Sequence, residues 1–341
     1  MPHVTNRRDF LSRWSVMPLI AAGGFGLTSQ VASAQSTVQR VGGSKLKLSL
    51  NAYSFSKALN DHIKGRGPGM TLFDMLDFCA EQDFDAVDPT GYFFPGYPAV
   101  PTDKFINDFK RRAFQLGLDI SGTGIRNDFC TPDKAARAKD VQHIKEWIEV
   151  SAKLGAPVIR VFATNQRSGK PEGYSWDEVA SWMADDIREC ADHGEKYGVI
   201  VGVQHHTYFL KTTDQMIKLL QLVDSPWCGL IVDTGCFLSA DPYAEIETVL
   251  PYAVNFQIKE KLYGQESDTR VDLVKLFQII QDSGYRGYIP IETLYLKNEV
   301  YDPEVRTKSF LKEVRLALAK TKESPPVASN DTRKSDHSEK L

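Results

Sequence analysis

The sequence is poor in cysteine and has no paired cysteine motif. Its five cysteines lie at positions 79, 130, 190, 228 and 236 of a 341-residue chain, without a C-x-x-C spacing. This scatter excludes a small scaffold built on disulfides. Whether Cys228 and Cys236 form a bridge depends on geometry that the sequence does not give.

Other absences exclude further classes of protein. No block of Lys and Arg is interleaved with aromatic residues, and the net charge is −3, so a nucleic-acid-binding surface is not expected. No G-x-G-x-x-G follows the first predicted strand and no P-loop occurs, which argues against a dinucleotide-binding open sheet. A composition of 42% hydrophobic and 25% charged residues excludes a disordered chain and a polytopic membrane protein.

Residues 1–34 have the pattern of an export signal. Arg7-Arg8 is followed by an apolar run over 14–27 and by Ala32-Ser33-Ala34, a small-x-small cleavage site. The paired arginines indicate the twin-arginine route, and therefore a periplasmic or extracytoplasmic protein with cleavage after Ala34. The run is shorter than the roughly 20 residues of a membrane span, so no stable span is expected after cleavage. The 38 basic and 43 acidic residues that remain give a net charge of −5.

From Lys47 onward, short β-rich runs alternate with amphipathic runs about eight times. The predicted strands are Lys47–Tyr53, Ala86–Asp88, Asp119–Gly122, Pro157–Phe162, Ile200–Gln204, Gly229–Asp233, Val254–Gln257 and Tyr288–Glu292. The clearest predicted helices are Asp133–Leu154, Trp176–Tyr197, Thr213–Leu222, Asp272–Ser283 and Glu304–Leu318.

This alternation predicts an α/β protein with a single (β/α)₈ TIM barrel over 47–320. Residues 35–46 form a linker before it, and the Ser-, Pro- and charge-rich segment 321–341 is expected to be a disordered tail.

Polar residues collect where the predicted strands end. Because a barrel of this kind carries its chemistry at the carboxyl ends of its strands, we expect these residues to meet in one mouth. They are Asn51, Tyr53, Asp88, Asn127, Asp128, Arg160, Gln204, His205, His206, Asp233, Gln257, Lys259 and Glu292.

Each of these residues also has an ordinary structural explanation. A strand-end Asp is often a helix cap, a lone Gln is often a satisfied hydrogen-bonder, and Lys259 with Glu260 could be a solvated pair. His143 and His193 lie inside helical patterns and are expected to be structural. Strand alternation sends only one of His205 and His206 toward the side of Gln204, and we favour His206.

The segments around these residues resemble the xylose isomerase-like barrel superfamily, the group of sugar phosphate isomerases/epimerases and endonuclease-IV-type enzymes. The similarity extends over nearly the whole chain after the signal. It is carried by Lys153-Leu-Gly-Ala-Pro-Val-Ile-Arg-Val-Phe, Val201-Gly-Val-Gln-His-His, Asp233-Thr-Gly, Gln257-Ile-Lys-Glu and Pro290-Ile-Glu-Thr.

The resemblance implies one divalent metal ion at the ends of strands five to eight. The family's ligands, Glu, Asp, His and Glu, fall on Gln204, Asp233, Gln257 and Glu292 of this chain. Two of the four are changed to amides, and an all-oxygen set of this kind suits Mn²⁺ or Mg²⁺ better than Zn²⁺.

The same resemblance implies proton transfer on a sugar or keto-sugar through an enediolate. Gln204 cannot accept a proton, so the family's symmetric exchange between two glutamates is not available. We expect Glu292 to act as the base, with His206 or Lys259 as its partner acid. Asn51, Tyr53, Asp88, Tyr92 and Arg160 are expected to bind the sugar.

Three other functions stay open at this point. A single base would also serve a lyase or hydratase acting on 3-keto-glycosides, the compounds that exported members of this group tend to accompany. The two amides could instead mark a non-catalytic carbohydrate-binding relative. A DNA-repair nuclease of the same barrel group is disfavoured by the acidic charge and by the scarcity of strand-end histidines. The sequence does not decide whether the chain forms a homo-oligomer.

Overall fold

The computed structural model describes residues 37–164, 169–206, 208–262, 269–295 and 300–323. The predicted export signal and most of the predicted tail lie outside these ranges. Within them, no helix is both long and apolar enough to cross a membrane.

The described chain forms a parallel barrel surrounded by helices, and the predicted (β/α)₈ architecture is confirmed. The strand order is β3-β2-β1-β9-β8-β7-β6-β5-β4, so the two edge strands are consecutive in the chain. The strands are β1 (Lys45–Asn51), β2 (Ala86–Asp88), β3 (Asp119–Ile120), β4 (Thr123–Gly124), β5 (Val158–Phe162), β6 (Ile200–Gln204), β7 (Cys228–Asp233), β8 (Ala253–Lys259) and β9 (Arg286–Glu292).

The third predicted strand, Asp119–Gly122, is observed as two short strands, and the second of them, β4, begins one residue after the predicted end. Its first part, β3, pairs with β2, whereas β4 pairs with β5, so the chain changes its partner between Ile120 and Thr123. Nine strand segments therefore fill eight barrel positions. The barrel is nearly closed, with one bridge between Thr90 and Gly124 across the break.

The predicted helices agree with the observed ones to within a few residues, because local capping signals set their ends. Ser175 and Glu178 form a capping box that begins α5, and Gly198 ends it in the left-handed conformation at φ 70°. The helices are α1 (Ser56–Ile63), α2 (Leu72–Glu81), α3 (Asp103–Gln115), α4 (Lys134–Leu154), α5 (Trp176–Tyr197), α6 (Thr213–Val223), α7 (Pro242–Val249), α8 (Leu273–Asp282) and α9 (Pro303–Glu323), with short 3₁₀ turns at Ala52–Phe55, Gly91–Phe93 and Leu250–Tyr252.

Apolar side chains fill the layer between the sheet and the helices, whereas a polar layer fills part of the barrel interior. Ser49 and Ser121 share a hydrogen bond of 2.7 Å, and Asn255 Nδ2 donates to the Ser121 carbonyl at 3.2 Å. Because these buried polar groups form hydrogen bonds with one another, they stabilise the barrel interior beneath the carboxyl ends of its strands.

Candidate active site

A cavity of about 610 Å³ opens at the carboxyl ends of the strands. This is the end of the barrel at which the sequence predicts the site. The cavity is lined by Asn51, Tyr53, Tyr92, Arg126, Arg160, Phe162, Gln204, His206, Tyr208, Asp233, Cys236, Gln257, Lys259, Glu292 and Leu294.

Strand register brings three charged residues together on one side of the cavity. Lys259, the last residue of β8, lies opposite Glu292 at the end of β9, while Asp233 at the end of β7 lies opposite Gln257. Gln257 and Lys259 are two residues apart and therefore point to the same face of the strand. We call Asp233, Lys259 and Glu292 the charged wall.

The ammonium group of Lys259 lies between the two carboxylates. Its Nζ is 2.7 Å from Glu292 Oε1 and 3.6 Å from Asp233 Oδ2, and the lysine is only 4% exposed. Burial alone would lower the pKa of Lys259, but Asp233 and Glu292 outweigh it and raise the pKa above its usual value. The wall therefore holds a permanent positive charge between two negative ones.

The two carboxyl groups of the charged wall are shifted in opposite directions. Burial would raise the pKa of Asp233, but Lys259 and His206 together hold it below its usual value. Burial raises the pKa of Glu292, and Lys259 offsets this only in part. Glu292 is thus the better proton acceptor of the pair, whereas Asp233 stays ionised.

The two amide side chains next to this wall, Gln204 and Gln257, differ in their hydrogen bonds. Gln204 Nε2 donates to Asp233 Oδ2 at 2.7 Å, so its N–H side faces the carboxylate. Gln257 Oε1 is buried and has no hydrogen-bond partner among the described residues. A buried carbonyl oxygen without a partner is costly, and Gln257 is one of the residues that line the cavity.

Of the two adjacent histidines, His206 lines the cavity, as strand alternation predicts, and His205 does not. The His206 ring packs on Phe162 with centroids 4.6 Å apart, and its Nε2 is 4.0 Å from Asp233 Oδ2. Burial lowers the pKa of His206 to about 4, although Asp233 acts against the shift. The imidazole is therefore neutral at neutral pH.

The other side of the cavity is aromatic. We call Tyr53, Tyr92 and Phe162 the aromatic wall. Arg160 joins this wall to the barrel: it donates to the Tyr92 hydroxyl at 2.9 Å and to the Ile125 carbonyl at 2.7 Å, and its Cζ lies 4.0 Å from the centre of the Phe162 ring. The guanidinium is thus fixed from three sides.

A glycine makes room for this arginine. A Cβ atom at Gly124 would lie 2.7 Å from Arg160 Nε, which is closer than real Cβ contacts allow. Gly124 and Arg160 face each other in the pairing of β4 with β5. The position of Arg160 therefore depends on glycine at 124.

The structure places most of the predicted site residues in this one cavity. Asn127, Asp128 and Asp88, like His205, do not line it. Asn127 instead exchanges two hydrogen bonds with the Phe162 backbone, and Asp128 accepts from the Cys130 N–H.

Asp88 is buried beside Asn51 at the end of β2. Burial raises its pKa to about 7, with Arg160 acting against the shift and Glu292 adding to it.

The ordinary explanations apply to other residues. Glu260 does not form a solvated pair with Lys259 but turns to α9, where its Oε1 lies 2.8 Å from Arg306 Nε. The predicted structural roles of His143 and His193 agree with their positions, since His143 packs on Trp147 and His193 Nε2 lies 3.3 Å from Glu149 Oε1. Cys228 and Cys236 are not bonded to each other.

Several residues of the cavity are not among the site residues that the sequence predicts. Arg126 lies over the Tyr92 ring at 4.7 Å, and Tyr208 follows the His205-His206 pair. Phe162 could have been found, because it is two residues after Arg160 and shares its face of β5. Arg126, in the loop after β4, carries no periodic signal.

The four predicted metal ligands line one cavity, but their arrangement fits a divalent ion poorly. An ammonium group already lies between the two carboxylates, and Gln204 turns its N–H rather than its oxygen toward Asp233. Within the described ranges, no three His, Cys, Asp or Glu side chains are grouped so that they could hold a metal ion. The predicted Mn²⁺ or Mg²⁺ therefore stays a prediction.

Sugar epimerases are among the similar proteins of known structure. The D-psicose 3-epimerase of Clostridium cellulolyticum H10 is 16% identical with a TM-score of 0.64, over 81% of this chain and 98% of that one. The 3-keto-D-glucoside 4-epimerase of E. coli is 14% identical with a TM-score of 0.62, over 80% of this chain and 99% of that one. At this identity the likeness concerns the fold alone.

One curated relative is similar in sequence, the 3'-dehydrocarminate deglycosidase alpha subunit of a Microbacterium species. It is 24% identical over 182 residues, which are 51% of this chain and 47% of the relative. The match thus spans about half the length of that relative.

The model of the xylose isomerase-like TIM barrel family matches residues 76–313. This range includes eight of the nine strands and the whole charged wall. The chain belongs to the xylose isomerase-like TIM barrel family.

Proposed function

We propose that this protein is an isomerase- or epimerase-like enzyme that moves a proton on a sugar or keto-sugar through an enediolate-type intermediate. The observation that carries the proposal is the charged wall, in which a buried ammonium lies between two carboxylates and faces a cavity of about 610 Å³.

Glu292 is the proposed base. Its carboxylate takes the proton from the carbon next to the carbonyl group, and the C–H electron pair forms a carbon–carbon double bond. The π electrons of the carbonyl move onto its oxygen, which becomes an enolate. For an epimer, the partner acid, His206 or Lys259, gives a proton to the other face of the same carbon, and Glu292 and the partner acid then exchange protons with water. For an isomer, Glu292 returns its proton to the neighbouring carbon while the hydroxyl on the first carbon passes its proton to the enolate oxygen.

Lys259 and His206 take different parts in this proposal. The Lys259 ammonium donates a hydrogen bond to the oxygen on which negative charge develops, and the two carboxylates hold it in place. His206, whose lowered pKa keeps its imidazole neutral at pH 7, lines the same cavity and offers a ring nitrogen to the substrate. His206 and Lys259 keep the predicted role of partner acid to Glu292.

The aromatic wall is the proposed binding surface for the sugar. Tyr53 and Tyr92 meet edge to face with centroids 6.2 Å apart, and Arg160 is held beside them. Aromatic faces pack against the C–H groups of a sugar, whereas Arg160, Asn51 and the free Gln257 Oε1 offer polar partners to its hydroxyls.

A second reaction, elimination from a 3-keto-glycoside, is favoured by the name of the Microbacterium relative, a deglycosidase subunit. Its first step is the same removal of a proton by Glu292. The enolate oxygen then reforms the carbonyl, and the carbon–carbon π pair shifts to form a double bond with the next carbon. The substituent leaves with its bonding pair and takes the proton that Glu292 removed, which restores the carboxylate. One base is enough for this route.

The experiment follows the shared first step. The protein is incubated in D₂O with a panel of ketohexoses and 3-keto-glucosides, and NMR records the loss of the proton next to the carbonyl together with any product. We expect exchange with wild-type protein and a loss of about 10²- to 10⁴-fold in Glu292→Gln. Glu189→Gln, a substitution on the surface, is the matched control.

The products distinguish the candidates. A new sugar isomer supports the isomerase or epimerase, and a released aglycone supports elimination. Undiminished exchange in Glu292→Gln contradicts the assignment of the base. Saturable binding of a sugar with neither exchange nor product leaves the carbohydrate-binding alternative.

We infer further that the protein acts outside the cytoplasm, on the basis of Arg7-Arg8 and the Ala32-Ser33-Ala34 site. Cell fractionation tests this inference. Replacing both arginines with lysine is expected to retain the full-length chain in the cytoplasm, and unchanged export of that variant would contradict the twin-arginine route.

A further inference from the structure

We propose that the ammonium group of Lys259 takes the place of the divalent ion in this barrel, so that the site works with a built-in cation. The inference concerns the same cavity as the proposed function and rests on it for the role of the cation. The inference is tested by metal binding in the absence of substrate, whereas the proposed function is tested by proton exchange on a sugar. A failure of the inference can therefore be distinguished from a failure of the proposed function.

The first argument is positional. Lys259 stands at the end of β8, between the strands that carry Asp233 and Glu292, and register puts it directly opposite Glu292. Its ammonium lies 2.7 Å from one carboxylate and 3.6 Å from the other. A cation that bound both carboxylates would have to occupy this same place.

The second argument concerns the donor atoms. Both oxygens of Asp233 are engaged: Oδ1 accepts from the Gly235 N–H at 3.1 Å, and Oδ2 accepts from Gln204 at 2.7 Å. Gln204 presents an N–H donor to Asp233, and a donor cannot coordinate a metal ion. In addition, the glutamate that the resemblance implies at this position is a neutral amide.

The third argument is charge balance. The two carboxylates and one ammonium of the charged wall leave one net negative charge, and Arg160 lies across the same cavity. Adding a divalent ion would reverse the sign of the wall and put two cations side by side in a buried place. Counted together with Arg160, the wall is neutral with the ammonium alone and would carry two positive charges once a divalent ion was added.

The fourth argument concerns Gln257, whose side-chain oxygen serves as a hydrogen-bond acceptor for substrate rather than as a ligand of a metal ion. Gln257 Oε1 is buried in the cavity and has no hydrogen-bond partner among the described residues. When a small movement of the Gln257 side chain exposes this oxygen, a sugar hydroxyl donates to it while the neighbouring carbonyl accepts from Lys259. The amide at 257 thus acts as a hydrogen-bond acceptor for the substrate.

The test starts with the wild-type chain after export processing. Elemental analysis of the purified protein is expected to show no stoichiometric metal ion. A Mn²⁺ titration followed by electron paramagnetic resonance is expected to show no saturable site up to about 1 mM Mn²⁺, the highest concentration used in the assay. About one bound Mn²⁺ per chain, lost in Asp233→Asn, would overturn the proposal.

The second step removes the built-in cation. Lys259→Met leaves two buried carboxylates without their cation, and we expect its melting temperature to fall by about 5–10 °C. If Lys259 holds the place of an ion, Mn²⁺ should now bind and recover most of this loss. Lys218→Met, which removes an exposed lysine that pairs with Asp177, is the matched control and should show neither effect.

A third variant keeps the test decisive if Lys259→Met does not fold. Gln204→Glu/Gln257→His/Lys259→Met restores the ligand types that the resemblance implies and removes the ammonium. We expect it to bind Mn²⁺, whereas Gln204→Glu/Gln257→His with Lys259 retained should bind it at least tenfold more weakly. Equal binding by these two variants, or no binding by either, would overturn the proposal.

Discussion

The two walls of the cavity are built in different ways. The charged wall comes from the last residues of three neighbouring strands, and backbone pairing fixes the spacing of its side chains. The aromatic wall comes mainly from 3₁₀ turns after β1 and β2, where Tyr53 and Tyr92 lie, and only Phe162 belongs to a strand. We therefore expect substitutions in the charged wall to act on the rate of the chemical step and those in the aromatic wall to act on binding.

The largest effect is expected for Glu292→Gln. The amide keeps the shape of the side chain but cannot take a proton, so kcat should fall by about 10²- to 10⁴-fold with little change in KM. Steady-state kinetics on the substrate found by NMR exchange measures this split. A rise in KM with kcat preserved would show that Glu292 acts in substrate binding rather than in the chemical step. It would contradict the different roles that we assign to the two walls.

Asp88→Asn tests a buried residue that belongs to neither wall. Burial raises the pKa of Asp88 to about 7, so the folded protein holds a proton there that the unfolded chain releases near pH 4. The stability contributed by the protonated form is complete below about pH 4 and is lost as the pH rises to 7. At pH 8 Asp88→Asn should therefore be more stable by about 1–3 kcal/mol.

Denaturant unfolding at pH 4 and pH 8 measures this difference between Asp88→Asn and wild type. We expect the gain in the free energy of unfolding to shrink toward zero at pH 4, where both proteins carry a neutral side chain. The same gain at both pH values would show that burial does not raise the pKa of Asp88 in the folded protein.

Arg160→Lys tests the aromatic wall. Lysine keeps the positive charge but cannot hold the Tyr92 hydroxyl and the Ile125 carbonyl while it stacks on Phe162. We expect KM to rise about tenfold, equivalent to about 1.4 kcal/mol, with kcat within about threefold of wild type. Arg111→Lys, on the exposed side of α3, is the matched control.

The smallest effect is expected for Tyr92→Phe. It removes one hydrogen bond from Arg160 and leaves the ring contacts with Tyr53 and Phe93 in place. Loss of a single hydrogen bond is worth about 1 kcal/mol, so KM should rise by about fivefold or less. A fall in kcat larger than this change would indicate that the Tyr92 hydroxyl takes part in the chemical step.

Most of the fold could be predicted because its signals are local. The capping box at Ser175 and Glu178 begins α5, and the left-handed Gly155 and Gly198 end α4 and α5. Each of these signals lies within a few residues of the helix end that it sets. The break in the third strand could not be predicted. It arises because the chain pairs with β2 before residue 121 and with β5 after it, and both partners are distant in sequence.

The candidate site was predictable where it follows strand alternation. That rule separates His206 from His205 and puts Gln257 and Lys259 on one face. It also implies that Glu260 faces away from Lys259, and the structure places it against Arg306 on α9. Arg126 was missed because it lies in a loop, where no periodicity relates a residue to its neighbours in space.

By itself, the sequence determined the parallel barrel, the end at which the cavity lies and most of the side chains that face it, because each of these follows from local periodicity and from strand ends. Only the tertiary structure decided what the side chains do to one another. The Lys259 ammonium lies between Asp233 and Glu292 because β8 is flanked by β7 and β9, a relation that no stretch of sequence contains. Their charges attract one another over distances of a few ångströms, and only the closing of the barrel sets those distances.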